Sequence, residues 1–218
     1  GIPDWLEAQA KKLGAEIRLG TRATAEMVLA EDPDVVVIAT GGRPNKGDFE
    51  GAELALTSWE AISDAAAATA GESILVYDDS GHSPGVTCAE VLARHGARVE
   101  IVSPDRLVGE DVGMFDRPAH MRHLHEREVV MTPDFRLLSV RREGNRLLAV
   151  LANEYTDAEE ERLVDRVVAE YGILPNDDLY LVLKPLSRNL GELDHDAYVA
   201  GTPQGIEVNP EGSFQLFR

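Results

Sequence analysis

The sequence predicts an α/β fold built on a parallel β-sheet. Two short and almost continuously apolar runs, 34–39 and 165–169, have the β-branched composition of strands buried on both faces of such a sheet. Between them, residues 73–102 have the pattern strand, glycine-bearing loop, helix, strand, which is a βαβ unit of about 30 residues. Because such crossovers are right-handed, the two strands of this unit should be parallel neighbours.

Four elements are expected before the βαβ unit, each from its periodicity and its flanking residues. They are a helix over 3–13, a short strand over 15–19, the buried strand over 34–39 and a helix over 57–66. Gly14 should stop the first helix, because glycine is the common residue just past a helix end. Residues 65–71 are small and are predicted to form a linker or a frayed helix end.

The region after the βαβ unit should return to β-structure. A helix over 121–127 is followed by alternating segments at 129–131, 135–141 and 146–151, and then by the buried strand 165–169. The turn Glu143-Gly144-Asn145 predicts a hairpin. The acidic run 157–161 is predicted to be a solvated turn or the start of a helix.

Composition excludes several classes of function. The chain has 21 Lys+Arg against 39 Asp+Glu and a net charge of −18, which repels nucleic acid and anionic membranes. No signal peptide is visible, and no apolar run approaches the roughly 20 residues that a transmembrane helix needs. The one cysteine, Cys88, permits neither an internal disulfide nor a cysteine-ligated iron–sulfur cluster within this chain, which is compatible with a cytoplasmic location.

The first candidate site is the loop 78–85 of the βαβ unit. A strand, a loop of small residues and a helix N-terminus form the pyrophosphate site of a Rossmann-like fold, because backbone N–H groups and the helix dipole face the anion. Ser80, Gly81 and Gly85 are therefore candidate nucleotide contacts, and Gly85 also suits close packing of helix on strand.

The loop departs from the glycine pattern of intact dinucleotide sites. No G-x-G-x-x-G is present, and if Gly85 is the third glycine, the first two positions hold Ser80 and His82. His82 would crowd a pyrophosphate, and Asp78 and Asp79 would repel it. Two interpretations stay open: a nucleotide site, or a Rossmann-like unit retained for its structure.

The end of the second strand of the unit also departs from the pattern. The acidic residue that holds a ribose is replaced by Ser103, with Asp105 and Arg106 just beyond it. Arg106 would be placed to meet a 2′-phosphate, but an ordinary surface arginine is the simpler interpretation.

The second candidate site is the turn Thr40-Gly41-Gly42 after the first buried strand. Its two glycines would let the backbone pass close to a bound dinucleotide, whereas an ordinary strand-to-loop turn is the alternative. A weak internal repeat links this region, 36–45, to 167–176, because each is an apolar strand that ends in Gly-x-x-Pro-Asn. The repeat suggests two related nucleotide-binding units.

Other reactive residues have simpler explanations. His120, His123 and His125 lie on or near one predicted helix without a zinc motif, and we expect a solvated or partly packed face. Cys88 should be a small packing residue. Tyr180 and Lys184 have the Tyr-x-x-x-Lys spacing of short-chain dehydrogenases, but they lie far from any intact glycine-rich loop.

Taken together, these segments resemble a known family. The likeness lies in residues 33–44, 75–82, 151–156, 174–180 and 183–189, and it covers essentially the whole chain. It is a resemblance to the C-terminal part of old yellow enzyme-like NADH:flavin oxidoreductases, a family that includes trimethylamine dehydrogenase, histamine dehydrogenase and 2,4-dienoyl-CoA reductase. The dimethylglycine and N-methylproline demethylase-like members are the most similar.

The resemblance implies a division into domains and a set of cofactors. Residues 1–65 and 157–218 would form part of an FAD-type domain that holds FAD or ADP, and 70–156 would be an inserted NAD(P)-type domain. The family's N-terminal TIM barrel, which carries FMN, an iron–sulfur cluster and the catalytic residues, would be the partner of this region. Thr40, Gly41 and Gly42, and in the insert Ser80, Gly81 and Gly85, carry over as cofactor contacts, whereas no catalytic or metal-binding residue does.

The resemblance also implies that the chain is trimmed at both ends. The family's first glycine-rich loop would precede Gly1, and its terminal Gly-Asp motif would follow Arg218. The sequence therefore predicts the nucleotide-binding and electron-transfer portion of a flavin-dependent oxidoreductase, such as an amine N-demethylase or dehydrogenase, that is inactive alone. The alternative is a non-catalytic structural or docking module with a degenerate nucleotide site. Homo-oligomerisation is left open.

Overall fold

The computed structural model describes residues 1–65 and 70–218, so the predicted linker 65–71 lies largely outside the described residues. The chain forms two compact units. The first unit comprises Gly1–Gly41 and Asn176–Arg218, and the second comprises Gly42–Pro175. The predicted extents of the FAD-type and NAD(P)-type domains differ from these units and stay a prediction, because they concern cofactor binding rather than compactness.

The secondary structure confirms the predicted α/β class. The strands are β1 (Val35–Val37), β2 (Gly42–Pro44), β3 (Leu56–Thr57), β4 (Ser73–Asp78), β5 (Arg98–Val102), β6 (Val130–Thr132), β7 (Phe135–Glu143), β8 (Arg146–Asn153), β9 (Glu159–Val164), β10 (Arg166–Glu170), β11 (Ile173–Pro175) and β12 (Gln215–Phe217). The helices are α1 (Ile2–Lys12), α2 (Ala25–Ala30), α3 (Ser58–Ser63), α4 (Ser83–Arg94), α5 (Arg117–Glu126), α6 (Asp178–Leu183) and α7 (His195–Ala200), with short 3₁₀ turns at Ala52–Leu54 and Lys184–Leu186.

The second unit is built on a parallel sheet of five strands in the order β3-β10-β4-β5-β6. The predicted βαβ unit is confirmed as β4, α4 and β5, with β4 and β5 paired in parallel. Apolar residues of β4 alternate between two cores: Ile74 and Val76 pack with Val86 and Leu92 of α4, whereas Leu75 faces the other side. A sheet covered on both faces explains why its central strands are almost continuously apolar.

The second face of this sheet packs against an antiparallel sheet in the order β7-β8-β9. The predicted hairpin is confirmed: Glu143 pairs with Arg146, and Gly144 takes a positive φ of 63° in the two-residue turn. The prediction of a turn or helix at 157–161 is wrong for 159–161, which begin β9 and pair with β8. Pairing along β8 satisfies the backbone groups of β9 and leaves the glutamate side chains of 159–161 exposed.

The first unit contains the two-stranded parallel sheet β1-β12. Its core contains Val36, Ile38, Leu183, Phe214 and Leu216. The prediction that the strand 34–39 is buried on both faces is wrong for this chain, because Val35 is 54% exposed and Val37 is 67% exposed. The predicted strand 15–19 is also wrong, because these residues pair with no strand in the described part of the chain.

No helix within residues 1–65 and 70–218 combines the length and the apolar character of a bilayer-spanning segment.

Candidate functional site

The carboxyl edge of the five-stranded sheet brings together two buried acids. Asp78 ends β4, Glu170 ends the neighbouring β10, and the two are direct partners in the strand register. Asp78 is fully buried and Glu170 is 2% exposed. The carboxyl edge of a parallel sheet is where α/β proteins bind their ligands, and the loop 79–82 between β4 and α4 lies at this edge.

Asp78 organises the loop that follows it. Its Oδ1 accepts hydrogen bonds from the backbone N–H of Ser80 at 3.2 Å, the Ser80 hydroxyl at 2.9 Å and the backbone N–H of Gly81 at 3.2 Å. Its Oδ2 is buried and has no hydrogen-bond partner among the described residues. The candidate contacts Ser80 and Gly81 therefore donate their amides to a carboxylate of the chain itself.

The pKa of the Asp78 carboxylate is raised by its surroundings. Burial raises the pKa of Asp78 to about 6, the hydrogen bonds from Ser80 oppose that rise, and the nearby Glu170 adds to it. Glu170 has its own partners, because its carboxylate accepts hydrogen bonds from the Ser58 hydroxyl and, at 2.8 Å, from the Gly172 N–H. Asp78 is thus the member of the pair with a carboxylate oxygen that lacks a hydrogen-bond partner among the described residues.

Gly85, in the first turn of α4, lies against the Asp78 side chain at the end of β4. Any side chain there would overlap the Asp78 carboxylate. The close helix–strand packing expected of Gly85 is therefore observed, with Asp78 as the neighbour that demands it. Whether Ser80, Gly81 and Gly85 contact a nucleotide stays a prediction.

Asp105 is a residue of this site that the sequence alone did not place. Ser103, fully buried at the end of the sheet, accepts a hydrogen bond from the Asp105 N–H at 3.2 Å and turns the chain back toward the loop. A β-carbon on Gly81 would lie 2.7 Å from Asp105 Oδ2, and the Asp111 N–H donates to the Gly81 carbonyl at 3.0 Å. Ser103-Pro104-Asp105 is a turn signal that could have indicated this return.

The electrostatic environment around Gly81 is acidic. Burial raises the pKa of Asp105, and the neighbouring carboxylates of Glu110, Asp111 and Asp79 raise it further against the Ser103 hydrogen bond. Arg106 does not compensate this charge, because its guanidinium donates to Glu110 at 2.5 Å on the surface. The structure therefore favours the surface interpretation of Arg106.

The second candidate site, Thr40 to Gly42, follows β1. The Thr40 hydroxyl donates to the Asn176 carbonyl at 2.5 Å, and the Asn176 side chain donates back to the Thr40 carbonyl at 3.3 Å. Gly41 has a φ of +64° and open space on its Cα, whereas a side chain on Gly42 would overlap Ile173. Gly41 is therefore accessible to a ligand, whereas Gly42 must be glycine because Ile173 occupies the space of a side chain.

A cleft of ≈480 Å³ in the first unit lies beside Thr40. It is lined by Thr21, Arg22, Ala23, Thr40, Asn176, Asp178 and Leu179. Arg22 makes no hydrogen bond or ion pair to the rest of the described chain. The cleft thus offers one free guanidinium and hydroxyl groups, with the Asp178 carboxylate as its negative group.

The internal repeat has a physical counterpart in paired backbone contacts. The Asn176 N–H donates to the Gly41 carbonyl at 3.0 Å, and the Asn45 N–H donates to the Gly172 carbonyl at 3.0 Å. Between these contacts, β2 and β11 pair antiparallel. The two Gly-x-x-Pro-Asn segments therefore make equivalent backbone hydrogen bonds.

The other candidate residues have structural roles. His123 Nδ1 and His120 Nδ1 lie 3.0 and 3.5 Å from the carboxylate of the buried Glu90, so the histidine face is partly packed, as expected. No group of three or more His, Cys, Asp or Glu within residues 1–65 and 70–218 is arranged to hold a metal ion. Cys88 is fully buried, and burial raises the pKa of its thiol to about 12, in agreement with a packing role.

The Tyr180–Lys184 pair does not have the arrangement of an acid catalyst. Lys184 Nζ lies over the Tyr180 ring at 5.9 Å from its centroid, and the Tyr180 hydroxyl donates to the Gly191 carbonyl at 3.4 Å. The hydroxyl and the ammonium are thus not directed at a common reacting group.

Comparison with curated proteins gives full-length matches to this chain. It is 43% identical over 218 residues to a probable N-methylproline demethylase of Rhizobium meliloti and 41% identical over 230 residues to an N,N-dimethylglycine/sarcosine dehydrogenase of Chromohalobacter salexigens. Both matches cover 100% of this chain, but only 32% and 33% of those relatives, so the chain spans about a third of their length. No protein-family model matches the chain.

Solved structures support the same fold. A 2-naphthoyl-CoA reductase complex superimposes on 80% of this chain with a TM-score of 0.68 and 24% identity, over 26% of its own length. Histamine dehydrogenase of Rhizobium sp. 4-9 superimposes on 94% of this chain with a TM-score of 0.65 and 20% identity, over 30% of its length. Thioredoxin reductase of Lactococcus lactis matches 74% of this chain and 52% of its own, with a TM-score of 0.58 and 19% identity. The predicted FAD/NAD(P)-binding type of fold is thereby confirmed.

Proposed function

Because the chain belongs to the old yellow enzyme-like flavoproteins, we propose that it is the nucleotide-binding and electron-transfer portion of a flavin-dependent oxidoreductase. The observation that carries this proposal is the 43% identity to the demethylase over the whole of this chain. The five-stranded parallel sheet and its two flanking layers have the Rossmann-like architecture of this class of oxidoreductase.

The whole protein would act on an N-methylated amine. Both similar relatives are named for such substrates, N-methylproline in one case and dimethylglycine or sarcosine in the other. A bound flavin would supply two-electron oxidation of the N-methyl carbon, and water would then release formaldehyde and the demethylated amine. This chain contributes no catalytic residue to that step in our proposal; its role is to bind a dinucleotide and carry electrons.

We assign the adenine nucleotide, FAD or ADP, to the first unit. Gly41 has open space at the end of β1, and Thr40 lines the ≈480 Å³ cleft that also contains the unpaired Arg22. A free guanidinium beside a strand's carboxyl end suits an anionic ligand, because the phosphate charge would find a partner there. These residues fit an anionic nucleotide better than those of the loop 79–82, where the carboxylates of Asp78, Asp105 and Asp111 lie close to Gly81.

The remaining parts of the proposal concern the whole protein. A TIM-barrel domain with FMN and an iron–sulfur cluster would be the partner of this chain. Residues 1–65 and 157–218 would belong to an FAD-type domain and 70–156 to an NAD(P)-type insert. The protein would work in the cytoplasm, either alone or as a homo-oligomer.

A second candidate function, for the second unit, is a non-catalytic module that supports the rest of the enzyme. One observation favours it: the amides of Ser80 and Gly81 already donate to Asp78. A dinucleotide in this loop would have to compete with that carboxylate.

The parent activity is tested on the full-length protein with its flavins bound. N-Methylproline, dimethylglycine and sarcosine are supplied with an artificial electron acceptor, and formaldehyde release is measured together with flavin bleaching under anaerobic conditions. We expect at least one of these amines to reduce the flavin and to release one formaldehyde for every two electrons that the acceptor takes up. A full-length protein that contains no flavin, or that oxidises none of these amines, would contradict the proposal.

The dinucleotide assignment has a matched pair of variants. Gly41→Ala and Gly172→Ala place the same methyl group at equivalent positions of the repeat, with φ values of +64° and +76° and open space at both. We expect both to cost similar stability, but only Gly41→Ala to lower the amount of FAD or ADP retained per protein after gel filtration. Equal retention in the two variants would contradict the assignment to Thr40 and Gly41.

A further inference from the structure

We propose that Asp78 acts as an internal anion, which takes the place of the dinucleotide phosphate in the second unit and keeps NADH and NADPH out of the loop 79–82. The proposal rests on the second candidate function given above and names the residue responsible for it. Asp78 would thereby ensure that this Rossmann-like unit leaves the reduced nicotinamide pool untouched while amine oxidation proceeds.

The first argument is that the backbone N–H groups of the loop already donate to Asp78. In a phosphate-binding loop, successive backbone N–H groups converge on an anion. Here the N–H groups of Ser80 and Gly81 converge on Asp78 Oδ1 at 3.2 Å each, and the Ser80 hydroxyl joins them at 2.9 Å. The anion that these donors require is already supplied by the chain.

The second argument is the position of the other carboxylate oxygen. Asp78 Oδ2 is fully buried without a hydrogen-bond partner among the described residues, and it lies against Gly85 in the first turn of α4. That turn has no side-chain cap, since His82 makes no capping hydrogen bond. The positive end of the α4 dipole therefore faces a carboxylate that belongs to the protein.

The third argument is the charge that a dinucleotide would meet. Asp79 follows Asp78 directly, Asp105 Oδ2 approaches Gly81, and Asp111 is held beside the loop by its hydrogen bond to Gly81. The first arginine after β5, Arg106, is paired with Glu110. A pyrophosphate would have to displace the Asp78 carboxylate from the loop amides. It would also be repelled by the other three carboxylates, those of Asp79, Asp105 and Asp111.

Asp78 is the residue that keeps the loop 79–82 from accepting a phosphate. The three surrounding acids only add repulsion, but Asp78 also holds the loop conformation through three hydrogen bonds. Replacement of Asp78 by glycine would free both amides and remove the charge that lies beneath them. It would also leave Gly85 and the α4 N-terminus open to an incoming phosphate.

The test uses the full-length flavoprotein, with NADH and NADPH titrated by calorimetry. The variants are Asp78→Gly, Asp78→Ser and Asp78→Asn, with Glu126→Gln on the exposed side of α5 as a control for loss of one negative charge. Asp78→Asn keeps an acceptor oxygen for the loop amides, so it separates the hydrogen bonds from the charge. Thermal unfolding of each variant confirms that it is folded.

We expect the wild type and Glu126→Gln to bind neither nucleotide at millimolar concentration. Asp78→Gly or Asp78→Ser should bind at least one of them ten times more tightly or better, and Asp78→Asn, which loses the charge but keeps an acceptor oxygen, should bind more tightly than the wild type and less tightly than Asp78→Gly. Micromolar binding by the wild type would overturn the proposal. So would folded glycine and serine variants that bind no better than the wild type.

Hydrogen exchange gives a second readout that needs no variant. In the nucleotide-free wild-type protein, the Ser80 and Gly81 amides should exchange slowly, because both are bound to Asp78. Addition of about 5 millimolar NADPH should not slow the exchange of these amides further, because a nucleotide that does not bind gives no protection. Fast exchange of both amides in the free protein would overturn the proposal. Amine-dependent flavin reduction is measured in parallel, so failure of this inference is distinguished from failure of the proposed activity.

Discussion

Asn45 and Asn176 make the same two hydrogen bonds at equivalent points of the chain. Each donates its backbone N–H to a glycine carbonyl at 3.0 Å, Gly172 for Asn45 and Gly41 for Asn176. Each also donates its side-chain amide to the residue before that glycine, Tyr171 or Thr40, at 3.3 Å. The chain passes between its two compact units beside these residues, after Gly41 and again after Pro175.

The two asparagines should differ in their effect on stability. Asn45 is half-buried and also accepts a hydrogen bond from the Gly47 N–H at 3.1 Å, whereas the Asn176 side chain makes only the exposed bond to Thr40 among the residues that the structure describes. Asn45→Ala should therefore lower the free energy of unfolding by about 1–2 kcal/mol, and Asn176→Ala by about 0.5–1 kcal/mol. Urea denaturation measures both. A larger loss for Asn176→Ala would contradict this account of the repeat.

Gly85 should be intolerant of any side chain. A methyl group there would overlap the Asp78 carboxylate, and both residues are buried. Gly85→Ala should cost about 1–3 kcal/mol of stability. Gly205→Ala is the matched control, because no heavy atom lies within 4 Å of its added methyl group. In a double-mutant cycle, Asp78→Gly should recover much of the Gly85→Ala loss, and purely additive costs would contradict direct contact.

Asp78 should make stability depend on pH in an unusual direction. Burial raises the pKa of Asp78 to about 6, so between about pH 4 and pH 6 the folded state binds a proton that the unfolded state has lost. Stability contributed by this group is therefore fully present below the unfolded pKa and is lost as pH rises through the folded one. A pKa of about 6 in place of about 4 corresponds to about 3 kcal/mol.

The variant Asp78→Asn removes this titration. Its unfolding free energy relative to the wild type should increase by up to about 3 kcal/mol between pH 4 and pH 7. The difference between the two proteins is the measured quantity, since Glu60 and Asp165 have lowered pKa values and act in the opposite direction in both. A difference that does not change with pH would show that the Asp78 pKa is not raised.

His123 should stabilise the packing of α5 on α4. Glu90 is buried, and burial works to raise its pKa, but His123 at 3.0 Å and Arg94 at 2.5 Å hold the pKa below its ordinary value. His123→Ala would leave this carboxylate with one partner fewer, at a cost of about 1–2 kcal/mol in thermal or urea unfolding at neutral pH. His125→Ala, on the same helix without a contact to Glu90, should change stability by less than about 0.5 kcal/mol. Equal losses would contradict the contact.

The sequence correctly predicted the elements that are specified by residues close to them along the chain. The βαβ unit 73–102 and the hairpin at Gly144 were confirmed, because local periodicity and turn chemistry specify both. The strand 34–39 was assigned correctly, but its two-sided burial was not, since Val35 and Val37 are exposed in the first unit. Burial depends on what packs against a strand, and that information lies elsewhere in the chain or outside it.

The site was predicted in part. The loop 78–85 was recognised as degenerate from its missing glycines and its two aspartates. The sequence suggested repulsion of a pyrophosphate by Asp78, whereas the structure shows that carboxylate buried beneath the loop and bound by its amides. Asp105 and Glu170 are 27 and 92 residues from Asp78 along the chain, and only strand pairing brings them to the same edge.

By itself, the sequence determined an α/β chain with a parallel sheet, an acidic surface and a loop that lacks the glycines of an intact dinucleotide site. The tertiary structure decided which way the Asp78 side chain turns and which groups surround it. The physical reason is that hydrophobic periodicity acts over a few neighbouring residues. The surroundings of a buried carboxylate are instead set by strands and helices that are distant in sequence and packed at one sheet edge.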